Sequence, residues 1–131
     1  MAQIQIVIVT PETTTFDKAV DSITVPLLDG EAGIYPGHAP MIGRLGAGEL
    51  RARTGSKEER FYVDGGFVQV EGDVVSVLTD RSMAAAEIDI AAARAALAEA
   101  EKSESDSPDF AESKRKAIAR ARAQIRVAEK S

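Results

Sequence analysis

Ile4, Ile6 and Ile8 alternate with Gln5, Val7 and Val9, a period of two that leaves both faces partly apolar. That pattern predicts an early strand packed between layers. Ile23 and Val25 mark another strand, ending near Pro26. Leu50 and Ala52 alternate with Glu49, Arg51 and Arg53, as a strand with one wet face would. Phe61-Tyr62-Val63, residues 67–70 and residues 74–78 are further short apolar runs. Turn chemistry separates them at Asp64-Gly65-Gly66 and Glu71-Gly72-Asp73. Short β-branched runs with turns at this interval predict an antiparallel sandwich or barrel.

Near Ser82 the pattern changes. Residues 84–100 are mostly alanine, with Ile88, Ile90 and Leu97 and neither glycine nor proline. Alanine orders into a helix without losing side-chain entropy, so a helix is expected here. A polar break, E-K-S-E-S-D-S-P, follows over residues 101–108. Ser107-Pro108 reads as an N-cap and a proline in the first helical position. A second helix is expected over 109–129, with Ala111, Ile118, Ala121, Ile125 and Ala128 on one face. Two such helices joined by a short loop form an antiparallel hairpin. Its apolar stripe is thin: a buried Ile or Leu contributes about 1.5 to 3 kcal/mol, and alanine less. The hairpin therefore needs a neighbour, and a weakly held hairpin is able to exchange one neighbour for another.

The remaining composition mainly excludes. The chain has 131 residues, 44% hydrophobic and 28% charged, enough for one domain with an appendage. A formal net charge of -5 repels phosphates and argues against a nucleic-acid partner. No cysteine is present, which removes disulfides, thiolate nucleophiles and thiolate metal sites. The N-terminus carries no basic segment and apolar run of a secretory signal, and no stretch approaches the roughly 20 apolar residues of a membrane span. Neither G-x-x-x-x-G-K-S/T nor G-x-G-x-x-G occurs, and one histidine cannot build a His-rich zinc site. No cofactor and no metal are expected.

The densest local signal is residues 29–40, D-G-E-A-G-I-Y-P-G-H-A-P, with three glycines, two prolines and the only histidine. Such density predicts one shaped surface loop rather than a strand, and shaped loops on rigid scaffolds carry contacts. His38 fills space between Pro36 and Pro40 or touches a partner; as a catalytic base it lacks a second group. Glu31 is a solvated carboxylate or a salt-bridge partner for a basic surface. The second helix carries Lys114, Arg115, Lys116, Arg120, Arg122 and Arg126. These form a solvated face, or Arg122 and Arg126, four apart, clamp a phosphate or an acidic strip. Asp89 suits the N-terminus of the first helix.

Taken in order, these pieces resemble the epsilon subunits of bacterial F-type ATP synthases. The resemblance rests on the glycine-proline segment at 30–40, Gly48-Glu49-Leu50-Arg51, Asp64-Gly65-Gly66-Phe67-Val68-Gln69-Val70, residues 74–80, and Ile88-Asp89 leading into an Ala/Arg-rich hairpin. It covers essentially the whole chain. It implies a β-sandwich of about ten antiparallel strands over residues 1–84 and a C-terminal two-helix hairpin over 85–131. It also implies a non-catalytic central-stalk subunit of a proton-translocating enzyme, peripheral at the cytoplasmic face of a bacterial plasma membrane. The sandwich would bind the gamma subunit and the c-ring and couple ring rotation to ATP synthesis. The helices would inhibit ATP hydrolysis by reaching the alpha/beta head.

Residue by residue, the resemblance sets Glu31 and His38 toward the c-ring and gamma, and makes Arg122 and Arg126 the inhibitory arginines. In some members ATP binds as a regulatory ligand through an I-D-x-x-R-A motif with these arginines, which would assign Ile88, Asp89, Arg122 and Arg126. A free-standing nucleotide-sensing module is the alternative function. Here the motif's arginine position holds Ala92, and the nearest arginine is Arg94. Two residues turn a helix by roughly 200°, so Arg94 points elsewhere. Calorimetric titration with ATP is therefore expected to show no binding, or binding no tighter than millimolar; a micromolar site would restore the nucleotide-sensing function.

Overall fold

The computed structural model describes residues 2–103 and 108–129. Its strands are β1 (Ile4–Val9), β2 (Thr14–Val20), β3 (Ser22–Leu27), β4 (Gly30–Ile34), β5 (Met41–Arg44), β6 (Ala47–Thr54), β7 (Lys57–Asp64), β8 (Phe67–Glu71), β9 (Val74–Leu78) and β10 (Arg81–Ala84). A short 3-10 turn, Ala85–Glu87, precedes the helices α1 (Ile90–Lys102) and α2 (Pro108–Glu129). The strands form two five-stranded sheets, β2-β1-β9-β8-β5 (sheet A) and β10-β7-β6-β3-β4 (sheet B). Every pairing is antiparallel except β1 with β9, which run parallel, the one departure from an all-antiparallel expectation.

Period two decides what faces inward. Ile4, Ile6 and Ile8 of β1 meet Val75 and Val77 of β9, and across the gap Ile23, Val25, Leu50 and Val63 of sheet B. Phe16 and Phe61 join the two sheets at one edge, their ring centroids 4.8 Å apart. The Ile/Val/Leu core expected from a chain without tryptophan is the core observed.

Three local expectations need correction. Residues 30–34 are strand β4, not part of one continuous loop; only the segment from Tyr35 to Pro40 remains irregular. The glycines do not prevent pairing because β4 is an edge strand, bonded on one side to β3, with Ala32 and Ile34 alternating inward. The first helix starts at Ile90 instead of residue 84, because 81–84 pair with β7 and Ala85 and Ile88 pack in apolar contact first. Asp89 then caps the helix, its carboxylate accepting the Ala92 N–H at 3.0 Å. The third correction concerns β6. Its polar face is wet at Arg53 but not at Glu49, which is buried where α2 lies over β6 and β7. The Ser107 cap lies outside the described residues, and Pro108 opens α2.

Asp64-Gly65-Gly66 carries the chain from sheet B to sheet A, and Gly66 passes hard against β9. Its φ is +92°, and a Cβ there would sit 1.9 Å from the Leu78 carbonyl oxygen. Gly66→Ala is expected to cost about 2 to 4 kcal/mol of stability, from backbone strain and a clash with main chain. Urea unfolding followed by circular dichroism checks this; an unchanged midpoint would contradict it.

Candidate functional site at the hairpin–sandwich junction

The face α2 covers on sheet B has a small apolar centre. Tyr62, Ala85 and Ile88 meet Ala123 and Val127, with Ala47, Met83 and Ala128 at the margin. α2 thus places alanine and a single valine on the sandwich. At about 1.5 to 3 kcal/mol per large buried side chain, such a patch is a weak adhesive for a helix of this length. The stripe Ala111, Ile118, Ala121, Ile125 and Ala128 does not coincide with the sheet-facing residues: Ala111 is exposed, and Ala123 and Val127 make the deepest contact.

Charge surrounds the patch. Arg60, on β7, donates from Nε and Nη2 to Glu49 Oε2 at 2.8 and 2.5 Å. The same Nη2 donates to the Val127 carbonyl oxygen at 2.6 Å. Arg51 Nη1 donates to Glu49 Oε1 at 2.9 Å and to Glu31 Oε2 at 3.1 Å. The hydrogen bond to Glu49 holds the Arg51 guanidinium above its ordinary range; burial opposes this and Glu31 reinforces it. Arg120 of α2 pairs with Asp64 at the end of β7, and Arg94 of α1 meets Glu129 of α2 at 2.5 Å. Next to the patch lies a cleft of about 570 Å³ between the end of α2 and the sheet. Pro26, Gly48, Ala123 and Val127 line it, with Glu31, Arg51, Arg126 and Glu129 also on its walls. A Cβ at Gly48 would come within 3.0 Å of Pro26, so glycine keeps that wall low.

The candidate residues therefore separate. Glu31 is on β4, bonded to Arg51, in the same cleft as Arg126. His38 is half-buried beyond the other end of β4, its Nδ1 2.6 Å from the Ala39 carbonyl oxygen. Arg122 lines a different groove on α2 with Lys114, Arg115 and Ile118. Among the described residues neither Arg122 nor Arg126 has an ion pair. Ile88 is buried under α2, and the Asp89 carboxylate is engaged in its cap. Sequence reasoning did not single out Arg60, Tyr62 or Asp64, and Arg120 was one member of a basic run. The available signal was Glu49 and Arg51 on one face of a strand whose other face is apolar, but it reads as solvation until a helix is laid over it.

The opposite side of the molecule carries a second feature. The outer face of sheet A presents Val9, Leu78 and Phe67 in one row of the register, with Ile42 on β5 beyond. Ile42, Phe67 and Leu78 are 72%, 51% and 50% exposed, which makes this an apolar strip open to solvent. A strip of that kind is a candidate interaction surface. Among the described residues no group of acidic, His or Cys side chains could hold a metal, and no helix is long and apolar enough to cross a membrane.

Comparison with known proteins agrees with this arrangement. Residues 3–85 match the model of the ATP synthase Delta/Epsilon chain β-sandwich domain. The chain is 49% identical over 123 residues to an ATP synthase epsilon chain of Rhodopirellula baltica, covering 94% of this chain and 96% of that one. It is 45% identical over 91 residues to the epsilon chain of Dehalococcoides mccartyi, covering 70% of this chain and 65% of the relative. Among solved structures it superposes on a chain of the Euglena gracilis mitochondrial ATP synthase OSCP/F1/c-ring assembly. The TM-score is 0.75 at 26% identity, over 98% of this chain and 79% of that one. A chain of the Tetrahymena thermophila central stalk and c-ring shares the fold, with a TM-score of 0.71 at 15% identity over 97% of both chains.

Tyr62 yields a pH prediction. Its hydroxyl is buried beside Asp64 and Gln124 without a well-directed hydrogen bond. Burial, and then the Asp64 carboxylate, pushes the phenol above its ordinary value. A folded value raised above the unfolded one contributes stability that is complete below about pH 10 and is lost as pH climbs beyond it. Tyr62→Phe is expected to change stability by less than about 1 kcal/mol at pH 7, because a phenyl ring leaves no hydroxyl unpaired. Above pH 10 the wild type should lose stability more steeply than the Phe variant in urea unfolding. Parallel pH profiles would contradict this.

Proposed function

The chain belongs to the ATP synthase epsilon-chain family, and from that premise we propose how this non-catalytic subunit works: as a rotor element of the central stalk whose hairpin is a detachable brake on ATP hydrolysis. The complex translocates protons, and the subunit sits peripherally at the cytoplasmic face of a bacterial plasma membrane. The outer strip of sheet A and the segment around His38 bind the gamma subunit and the c-ring, with Glu31, at the other end of β4, as a further contact. The ten-stranded core passes rotation on as a rigid body. Released from sheet B, the hairpin reaches the alpha/beta head, where Arg122 and Arg126 meet acidic segments and resist the hydrolytic direction.

The observation that carries this reading is the junction itself. α2 contributes only small side chains, alanine and one valine, to its contact with the sandwich, while its two exposed arginines, Arg122 and Arg126, make no ion pair among the described residues. A helix packed for permanence would bury larger side chains. Free guanidiniums on a releasable helix suit a second docking partner of opposite charge. The nucleotide-sensing alternative has less support. Ile88 and Asp89 are engaged in packing and capping, and Arg122 and Arg126 open onto different grooves.

Arg122→Ala combined with Arg126→Ala is expected to raise ATP hydrolysis by the assembled enzyme about two- to tenfold, as exposed charge contacts of up to ~1 kcal/mol each would allow. Assembly should be unaffected. Unchanged hydrolysis in a fully assembled complex would remove the inhibitory role from this hairpin.

A further inference from the structure

Arg60 and Glu49 form a charge arrangement that neither the core nor the arginines of α2 explain. Arg60 is on the outer face of β7 with Tyr62, opposite Arg51 of β6, while Phe61 and Val63 turn into the inter-sheet core. Its side chain is 14% exposed and that of Glu49 8%. Two buried ionic groups are expensive to keep unless geometry and hydrogen bonds are good. Here they are good: Nε and Nη2 both engage Glu49 Oε2, which fixes the plane of the guanidinium. Arg51 takes the other carboxylate oxygen, so Glu49 is held from two sides.

So fixed, Arg60 aims Nη2 at the carbonyl oxygen of Val127, 2.6 Å away. Val127 is in the last described turn of α2 (Pro108–Glu129). Carbonyls of a helix's last turn lack intrahelical donors and carry the negative end of the helix dipole. A cation on the sandwich thus caps the helix C-terminus from outside the helix. The contact exists only while α2 is docked, and it demands correct depth and rotation of the helix. The small side chains α2 brings to the apolar patch, alanine and one valine, place a weaker demand.

We propose that Arg60 is the latch selecting the docked position of the hairpin, with Glu49 as the positioning residue that aims it. The latch is a property of the isolated chain; only its consequence in the assembled enzyme rests on the brake function proposed above. Undocking breaks the Arg60–Val127 contact but leaves the Arg60–Glu49 pair intact on the sandwich, so release does not strand a bare charge.

Hydrogen–deuterium exchange of the full chain tests this. In Arg60→Gln, amides in the C-terminal half of α2 are expected to exchange about tenfold faster or more, the loss of one charge-assisted hydrogen bond. Amides of β1 and β9 should keep their wild-type protection. Glu49→Gln should accelerate the same helix amides, although it leaves Arg60 in place. Arg60→Lys, which keeps the charge but not the fork, should fall between. Unchanged α2 exchange in Arg60→Gln overturns the latch. So does equal acceleration in β1 and β9, or loss of folding, either of which would make Arg60 a general support of the sandwich. In the assembled enzyme Arg60→Gln should lower ATP hydrolysis, opposite in sign to loss of Arg122 and Arg126. Faster α2 exchange with unaltered hydrolysis leaves the latch standing and removes the brake.

Discussion

Strand β6 is dry on its inner face and, at Glu49, on its outer face too, for different reasons, while Arg53 toward its far end is exposed. Leu50 and Ala52 enter the inter-sheet core, where apolar packing stabilises without directional requirements. Glu49 enters the junction with α2, where Arg60 and Arg51 surround its charge and stabilise it against burial. Buried ion pairs contribute little net stability against apolar replacements, but they are severe about geometry. The junction between sheet and helix is accordingly specific without being strong. The rest of the molecule's behaviour depends on that combination.

The layers stack as hairpin, sheet B, core, sheet A and the exposed strip of Ile42, Phe67 and Leu78. The strip and the hairpin occupy opposite sides of one sandwich. A subunit built this way is able to hold a partner on sheet A while its hairpin leaves sheet B, because the Ile/Val core between the sheets does not change. Capping by Asp89 and the pairing of β10 with β7 keep the lead-in to α1 ordered against the sheet. Release then needs loss of the α2 contacts and the Arg120–Asp64 and Arg60–Val127 links, not unfolding of a strand.

Strands whose period two was intact were legible: β1, β8 and β9 lie where the alternation put them, while of β7 (Lys57–Asp64) only residues 61–63 were read. β2, β5 and β10 carry threonine, charge or glycine in place of a clean alternation, and only the family resemblance accounted for ten strands. β4 was misread because glycine lowers strand propensity in general, whereas an edge position demands pairing on one side only. Alanine content placed a helix six residues too early, since tertiary pairing of 81–84 outweighs a propensity of a few tenths of a kcal/mol per residue. At the candidate site the exposed arginines were legible as charge, but the Glu49–Arg60 pair was not. A burial that arises from a helix about 70 residues further along leaves no periodic mark in the strand that bears it.

The central claim is that the hairpin is anchored far more weakly than the sandwich on which it rests. Native-state hydrogen exchange of the unmodified chain in increasing sub-denaturing urea measures this directly. The account predicts two tiers, with α1 and α2 amides opening together at much lower free energy than those of β1 and β9. A single tier, with helix and sheet amides converging on one global opening, would contradict it.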